Sequence, residues 1–402
     1  MMESYHWARE HFLSERVKAS SLQLRHSIDT KAAQLSRQGI RIIDLSDETN
    51  MGGDLDYVKD AVSKMLHEGL PPGELRGLLS LRTVLAEKEK EEKGLDLDPD
   101  SNVMITTGGS MQSLYMAIHA TIGPGDEVLV GYPGLTFDEI VKLAGGTPVY
   151  FPIPEEKGYT FDFEAIESAI TPRTKMIIIT SPHNPTGRVF ERSELEGIAE
   201  IAIRHNLLVL SDEVHEKNVW DNRKHVSIAT LPEMQERTII SCSVTKCYHM
   251  FRWRVGWVIG NAKLIEGMEK IMMWSCQFPP PLTQAGAEAL LTGLRGPLRD
   301  WFRSIQRELE ERRNLLWDLL NKIDGFVPFK PQGTFLSFTN VGSIDSSSIR
   351  LSDYLLEKAN VLVSPGIAYL GEGHLRISSD RPKEEINEAL SKIKAALENY
   401  KK

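Results

Sequence analysis

Five short apolar segments, separated by helical patterns, constrain the fold of this 402-residue chain more than any other feature. They lie at 103–106, 127–130, 176–180, 207–210 and 238–240. Strand-length apolar runs that alternate with helices predict a mainly parallel sheet with helices on both faces. Sheets of this kind bind ligands at the carboxyl ends of their strands. The residues that follow each segment are therefore the first candidates for a functional site.

A second pattern predicts a long amphipathic helix at 298–323, where apolar residues recur every three or four positions with charges between them. These residues are Leu298, Trp301, Phe302, Ile305, Leu309, Leu316, Leu320 and Ile323. We expect the aromatic members to pack into a core and the helix to link two domains. The predicted large domain spans 46–295, and the predicted small domain combines 1–45 with 296–402.

Composition narrows the class of protein. With 41% apolar and 26% charged residues the chain has an ordinary globular composition, and its net charge of −9 provides no positive field for nucleic acid. The charge run at 87–93 predicts a solvated helix face. We find no apolar stretch that suits a secretory signal or a membrane span, so we expect a soluble cytoplasmic protein.

The three cysteines are too few for a disulfide framework and lack the spacing of metal ligands. Cys242, Cys247 and Cys276 are therefore predicted to be reduced, buried thiols, and no metal site is expected.

Lys246 carries the most chemical information. It follows the apolar segment at 238–240, with Ser243 three residues before it and Arg254 eight residues after it. A lysine amine is a nucleophile, and a hydroxyl and an arginine at this spacing let one loop bond a carbonyl cofactor and grip its phosphate. An isolated lysine is most often a solvated surface residue. Together, however, these residues outline a pyridoxal phosphate site.

Four further segments add polar residues after apolar runs. Gly108 and Gly109 break the first strand and open a helix, where backbone N–H groups can approach an anion. The order Asn-Pro-Thr-Gly stands at 184–187, after the third strand. Asp212 ends the fourth strand, where a buried carboxylate needs a cationic or hydrogen-bonding partner. Arg376 lies in a strand-like run near the C-terminus, and its planar guanidinium suits a carboxylate.

These motifs, in this order, resemble the fold-type I pyridoxal-phosphate enzymes of the class I/II aminotransferase group, and the likeness runs nearly end to end. The resemblance implies a large domain with a mainly parallel, seven-stranded type of sheet flanked by helices, plus a smaller α/β domain. It implies aminotransferase activity with pyridoxal 5′-phosphate as cofactor, amino acid and keto acid as substrates, and a homodimer.

The resemblance also assigns roles to residues. Lys246 would form the Schiff base and abstract the α-proton, while Asp212 would hold the ring nitrogen protonated. Asn184 would donate to the ring oxygen, and Arg376 with Asn184 would bind the substrate. The phosphate would be held by the backbone of Gly109, Ser110 and Met111 and by Ser243 and Arg254.

Five positions depart from the family pattern around the ring and the substrate. His215 replaces a tyrosine that donates to the ring oxygen, a role that imidazole can also fill. Leu135 replaces the aromatic residue that stacks on the ring, unless Tyr132 or Phe137 takes its place. The other departures are an extra cation at Arg252, the acids Asp47 and Glu48 in place of G-x-P, and no phosphate-reaching tyrosine within 69–77.

Because these departures surround the substrate, alternatives stay open. The Asp-Glu-x-His order at 212–215 is similar to carbon–sulfur β-lyases of the same fold. An eliminase or cyclase using the same cofactor is equally compatible with Arg252 and the acids at 47 and 48. A non-catalytic, aminotransferase-like sensor is the remaining alternative, but it requires a DNA-binding module ahead of the first strand, where only about 45 residues stand.

Overall fold

The computed structural model describes residues 13–22, 25–46, 55–135 and 137–400. Its strands are β1 (Ile43–Asp44), β2 (Val103–Thr106), β3 (Glu127–Tyr132), β4 (Thr147–Pro152), β5 (Thr174–Thr180), β6 (Leu208–Asp212), β7 (Thr238–Ser243), β8 (Gly256–Ile259), β9 (Val327–Pro328), β10 (Leu336–Asn340), β11 (Val361–Leu362), β12 (Ser364–Pro365) and β13 (His374–Ser378). Its helices are α1 (Glu15–Ala19), α2 (Arg25–Arg37), α3 (Asp56–Glu68), α4 (Leu79–Lys93), α5 (Ser110–Thr121), α6 (Asp138–Ala144), α7 (Phe163–Ala169), α8 (Arg192–Arg204), α9 (Val244–Cys247), α10 (Ala262–Ser275), α11 (Pro281–Gly293), α12 (Arg299–Leu320), α13 (Ser348–Ala359) and α14 (Lys383–Leu397).

The largest sheet has seven strands in the order β2-β8-β7-β6-β5-β3-β4. Its strand pairs are parallel except those of β8, which runs antiparallel to both β2 and β7. The five segments predicted as strands are β2, β3, β5, β6 and β7, so the mixed α/β fold class with a mainly parallel seven-stranded sheet is confirmed.

Helices bury both faces of this sheet. Strands β2 and β7 are buried along their whole length, as continuous apolar strands of a covered sheet should be. One apolar core joins α5 and α10 to the sheet, another joins α7 and α8 to its opposite face, and a third lies beneath α4 and α11. The strand ends at the carboxyl edge are therefore held by packing on both sides.

The C-terminal part contains a four-stranded antiparallel sheet, β12-β13-β10-β9, and the parallel pair β1-β11. The predicted amphipathic helix is α12, and its residues Leu309, Leu316 and Leu320 are buried. Trp301 and Phe302 pack half-buried against the core, so their predicted packing role is confirmed.

Two surface predictions were wrong in part, since Glu87, Lys90, Glu91 and Glu92 of the charge run are exposed as predicted. Within the charge run at 87–93, Lys88 and Glu89 are buried and the Lys93 side chain is only 9% exposed, because α4 turns these charges toward carboxylates on the loop after β6. Cys276 is exposed where α10 ends, whereas Cys242 and Cys247 are buried as predicted. Among the helices of the described residues, none is long and apolar enough to cross a membrane.

Candidate active site

The candidate site begins where three neighbouring strands end. Thr180 of β5 pairs with Asp212 of β6, and Asp212 pairs with Ser241 of β7. The loops that leave these strands carry Asn184, His215 and Lys246. Parallel pairing therefore brings three segments that are 30 or more residues apart in sequence to one edge of the sheet.

Asp212 is 2% exposed, and a backbone N–H of Val214 donates to its carboxylate over 3.4 Å. Burial raises the pKa of Asp212 to about 7, against the lowering effects of that hydrogen bond and of the nearby Lys246 charge. A carboxylate in this setting gains much from a cationic or protonated partner.

Lys246 lies on α9, a one-turn helix that directly follows β7. The Ser243 side chain caps this turn by accepting from the Thr245 N–H over 3.3 Å. The Lys246 Nζ lies 5.3 Å from the centre of the Phe251 ring. The Lys246 charge is close enough to Asp212 to act on its pKa.

A tight cradle forms at the start of α5. Gly109 has φ +67°, and a Cβ there would meet the Arg254 guanidinium at 2.9 Å. At Gly256 a Cβ would meet the carbonyl carbon of Gly109 at 2.4 Å and the Ser110 nitrogen at 2.7 Å. The Gly109 N–H donates to the Arg254 carbonyl over 3.0 Å. The N-terminus of α5 and the Arg254 guanidinium therefore meet at one small space, which suits an anion such as phosphate. Met111, in the first turn, is 45% exposed beside it.

Arg376 reaches this edge from the other sheet. It lies on β13, is 4% exposed, and donates from Nη1 to Asn184 Oδ1 over 3.2 Å. Its Nη2 donates to the Ser46 carbonyl over 3.1 Å. The guanidinium carbon lies 4.4 Å from the centre of the Tyr369 ring. The two residues predicted to bind substrate thus contact each other directly.

His215 is also buried, with its ring edge against Phe335. Asn218 Nδ2 lies 3.2 Å from His215 Nδ1 and 3.3 Å from the Lys246 carbonyl, and Asn218 Oδ1 accepts from Gln306 over 3.4 Å. Donation by the amide to Nδ1 leaves the proton of a neutral imidazole on Nε2. Sequence reasoning missed Asn218 and Tyr369, because neither stands in a motif.

Leu135, Tyr132 and Phe137 are the three candidates to cover the cofactor ring, and they differ in burial. Phe137 is 4% exposed in the apolar core beneath α5 and α6, and Tyr132 is 40% exposed at the end of β3. Leu135 is half-buried and packs against two cores, facing a small space lined by Thr180 and His183. Phe137 lines the same small space from the core side.

The other departures lie at the margins. Arg252 is exposed on a single 3₁₀ turn, and Gly73, within 69–77, packs against the Phe278 ring. Asp47 and Glu48 lie outside the described residues.

Glu213, Glu216 and His225 bring ligand-type atoms within 4.8 Å of one another, a spacing that a metal ion could bridge. The Lys93 ammonium lies 2.9 Å from Glu213 and 2.6 Å from Glu216. A lysine therefore supplies the cation that these carboxylates need, and no metal is proposed.

The residues present fit pyridoxal phosphate. Its ring nitrogen would give Asp212 a protonated partner, its phosphate would suit the cradle at Gly109 and Arg254, and its carbonyl would need an amine such as Lys246. These three demands are met at one edge of the sheet.

Comparisons with known proteins agree with this fit. The family model "Aminotransferase class I and II" matches residues 40–393. Aromatic-amino-acid aminotransferase 2 of Thermococcus litoralis is 36% identical over 86% of this chain and 88% of its own length. An aspartate aminotransferase of a Bacillus species is 34% identical, covering 95% of this chain and 98% of its own.

Solved structures give the same result. The aspartate aminotransferase from Thermus thermophilus with maleate superposes with a TM-score of 0.89 at 31% identity, over 96% of this chain and 99% of that one. The strand order, the site at the carboxyl edge and these matches lead to one conclusion. The chain belongs to the class I and II aminotransferases and uses pyridoxal 5′-phosphate to move the amino group of an amino acid.

Proposed function

We propose that Lys246 anchors the cofactor and then moves the α-proton of the substrate. The observation that carries this proposal is the position of Lys246 on the turn after β7, with Asp212 at the next strand end and the Gly109–Arg254 cradle beside it. Bound pyridoxal phosphate supplies a carbonyl for the substrate amine and a protonated ring that withdraws electrons from the α-carbon.

Asp212 keeps the ring nitrogen protonated. Its carboxylate is buried and disfavoured as an isolated charge, so ionisation is most favourable when a cation lies against it. Gly109, Ser110, Met111, Ser243 and Arg254 hold the phosphate, which fixes the reacting carbon relative to Lys246.

Arg376 binds the substrate carboxylate with its planar guanidinium. The Tyr369 ring beneath it and the Asn184 amide beside it limit its rotation. With the carboxylate fixed there, the Lys246 amine would take the proton from Cα and would return it to the cofactor carbon that had been the carbonyl.

Asn184 and His215 complete the hydrogen bonds to the ring oxygen. Asn184 Oδ1 accepts from Arg376, which turns the donating Nδ2 the other way. His215 has the tautomer that can donate from Nε2. Leu135 covers the ring with an aliphatic surface.

The substrates that we propose are an α-amino acid and a 2-oxo acid. A panel of amino acids offered with several 2-oxo acids, followed by product chromatography, tests transamination. Exchange of the amino group with at least one pair is expected. Faster release of pyruvate and ammonia from cysteine-type substrates would replace this proposal with a β-lyase.

Borohydride reduction tests the anchor separately. We expect one reduced, cofactor-labelled peptide that contains Lys246, because its amine is the one set beside Asp212. A label outside 243–254, or none, would contradict the assignment.

We propose that the working unit is a homodimer. Six exposed apolar side chains lie on α5, on α10 and the loop after it, and on the loop before α4; we call them the apolar rim: Leu70, Met111, Tyr115, Met273, Trp274 and Phe278. Two contacts bring these segments together: Gln112 of α5 donates to Cys276 beyond α10, and Phe278 packs on Gly73. Trp274, at 90% exposed, is an unusual surface residue for a monomer.

Trp274→Glu is expected to shift the protein toward a monomer of 45.3 kDa and to weaken cofactor binding, since the rim adjoins the cradle. Light scattering and cofactor titration measure both effects. Val327→Glu, at an exposed apolar position on β9, is the matched control and should remain dimeric. A monomeric, fully active wild type would contradict the dimer.

We also propose the domain division at 46–295 against 1–45 with 296–402, a cytoplasmic location and no role for nucleic acid. The seven-stranded sheet falls within the first range, and β9, β10 and β13 fall within the second. A net charge of −9 and two buried, free thiols support the location and the absence of nucleic acid.

A further inference from the structure

Behind the active-site edge lies a cluster of charges that the proposed chemistry does not use. The buried ion cluster consists of Lys88, Glu89, Glu92 and Lys93 from α4, and Glu213, Glu216, Lys217 and His225 from the loop after β6. The side chains of Glu89, Glu213 and Glu216 are at most 2% exposed. Charges buried to this degree are costly unless they are paired.

Lys93 links the two halves of the cluster, because it contacts one carboxylate on α4 and two on the loop after β6. Its Nζ lies 2.9 Å from Glu89, 2.9 Å from Glu213 and 2.6 Å from Glu216. Burial alone would lower the pKa of Lys93, but the three carboxylates raise it well above its usual value. The residue is therefore a permanent cation at the centre of three anions.

Two of the three carboxylates that Lys93 binds, Glu213 and Glu216, stand next to site residues in the segment at the end of β6. Asp212 and His215 belong to the active-site edge, whereas their neighbours Glu213 and Glu216 belong to the cluster. Glu213 is fixed by four groups, since it also accepts from Ser211 over 3.0 Å and Ser227 over 2.6 Å and contacts His225 at 3.0 Å. The contacts that hold Glu213 and Glu216 therefore also restrict the backbone that carries Asp212 and His215.

Burial opposes ionisation of Glu213, yet Lys93 and His225 together lower its pKa to about 2. In turn, the Glu213 charge helps to raise the pKa of Asp212, next to which it stands. Removing Lys93 would leave the charges of Glu213 and Glu216 less compensated in a buried site. Replacing a buried ion pair with apolar residues is often neutral for stability, so stability alone does not explain this arrangement.

We infer that Lys93 is a positioning residue for catalysis: its ammonium holds Glu213 and Glu216, and so fixes the backbone that presents Asp212 to the cofactor ring. This inference rests on the role proposed for Asp212. Lys93 lies outside the site and acts only through the loop.

The test compares Lys93→Met with Lys93→Arg, Lys93→Met/Glu213→Gln and the control Lys90→Met. Lys90 lies on the same helix, but its side chain is 69% exposed. Loss of Lys93 is expected to lower kcat about 10²-fold with little change in KM, because a displacement of about 1 Å has an effect of that size. Lys93→Arg and the charge-compensated pair should recover most of the loss, and Lys90→Met should match wild type.

Two readouts separate positioning from simple destabilisation. In cofactor-free protein, the pH at which Asp212 ionises, followed through the pH dependence of unfolding, should move upward in Lys93→Met and return in the compensated pair. The charged groups that bear on it are Lys246 and Glu213 directly and the other cluster members through Glu213. In an Asp212→Asn background, Lys93→Met should change kcat less than threefold.

An unchanged ionisation, or a full additional loss of kcat in the Asp212→Asn background, would overturn the inference. If Lys93→Met alone does not fold, Lys93→Gln, which removes the charge but keeps a polar side chain, takes its place in the same comparisons. Failure of borohydride labelling at Lys246 in wild type would remove the proposed function itself. Normal labelling with a Lys93→Met variant that behaves like Lys90→Met would remove only this inference.

Discussion

Replacing Lys246 with alanine is expected to lower turnover by at least about 10⁴-fold, because the variant loses both the covalent anchor and the base at the α-carbon. Cofactor should still bind, although more weakly, since the cradle at Gly109 and Arg254 is unchanged. Stopped-flow turnover and the visible spectrum of the purified protein check the two halves. Lys263→Ala, at a side chain that is 89% exposed, is the control and should match wild type. Turnover within tenfold of wild type would exclude Lys246 as the base.

Asp212→Asn is expected to reduce turnover by about 10³-fold, because an amide provides no negative charge for the protonated ring nitrogen. The same change should stabilise the cofactor-free protein. Burial raises the Asp212 pKa from 3.8 to about 7, so the folded state keeps a proton that the unfolded chain releases. In cofactor-free wild type, the contribution of this proton to the unfolding free energy is complete below pH 4. It is lost as the pH rises through 7, and the total loss is about 4 kcal/mol.

The Asn variant of the cofactor-free protein should therefore exceed wild type in unfolding free energy by an amount that grows between pH 5 and pH 8. Urea denaturation at both pH values measures this difference. Equal differences in unfolding free energy at pH 5 and pH 8 would show that burial does not raise the pKa of Asp212. Saturating cofactor should remove the advantage, since the ring nitrogen then stabilises the charged form.

Much of the large sheet could be predicted, because its central strands are continuous apolar runs that end in polar residues. β2 was predicted to the residue. β4 was missed because Thr147–Pro152 contains two prolines and is half-exposed at the sheet edge. β8 was missed because it returns antiparallel directly after the lysine loop and so breaks the alternation of strands with helices.

The site was harder to predict where it depends on contacts between distant segments. Helical spacing places Lys88, Glu89 and Lys93 close together, but it does not reveal whether that face meets water or the carboxylates more than 100 residues later. The contact between Asn184 and Arg376 joins two different sheets, and only the family resemblance indicated it. Asn218 stands in no motif, and its position follows from the fold alone.

The hydrogen bond from Arg376 to Asn184 couples the proposed binding site of the substrate carboxylate to the proposed binding site of the cofactor ring. A carboxylate that binds Arg376 competes for the guanidinium and so changes its hydrogen bond to the Asn184 amide, whose Nδ2 is proposed to donate to the ring oxygen of the cofactor. Binding of a simple carboxylic acid, which has no amine to react, should therefore change the visible absorption spectrum of the bound cofactor. The affinities of different carboxylates could then be compared by titration of the cofactor absorbance, without any reaction taking place.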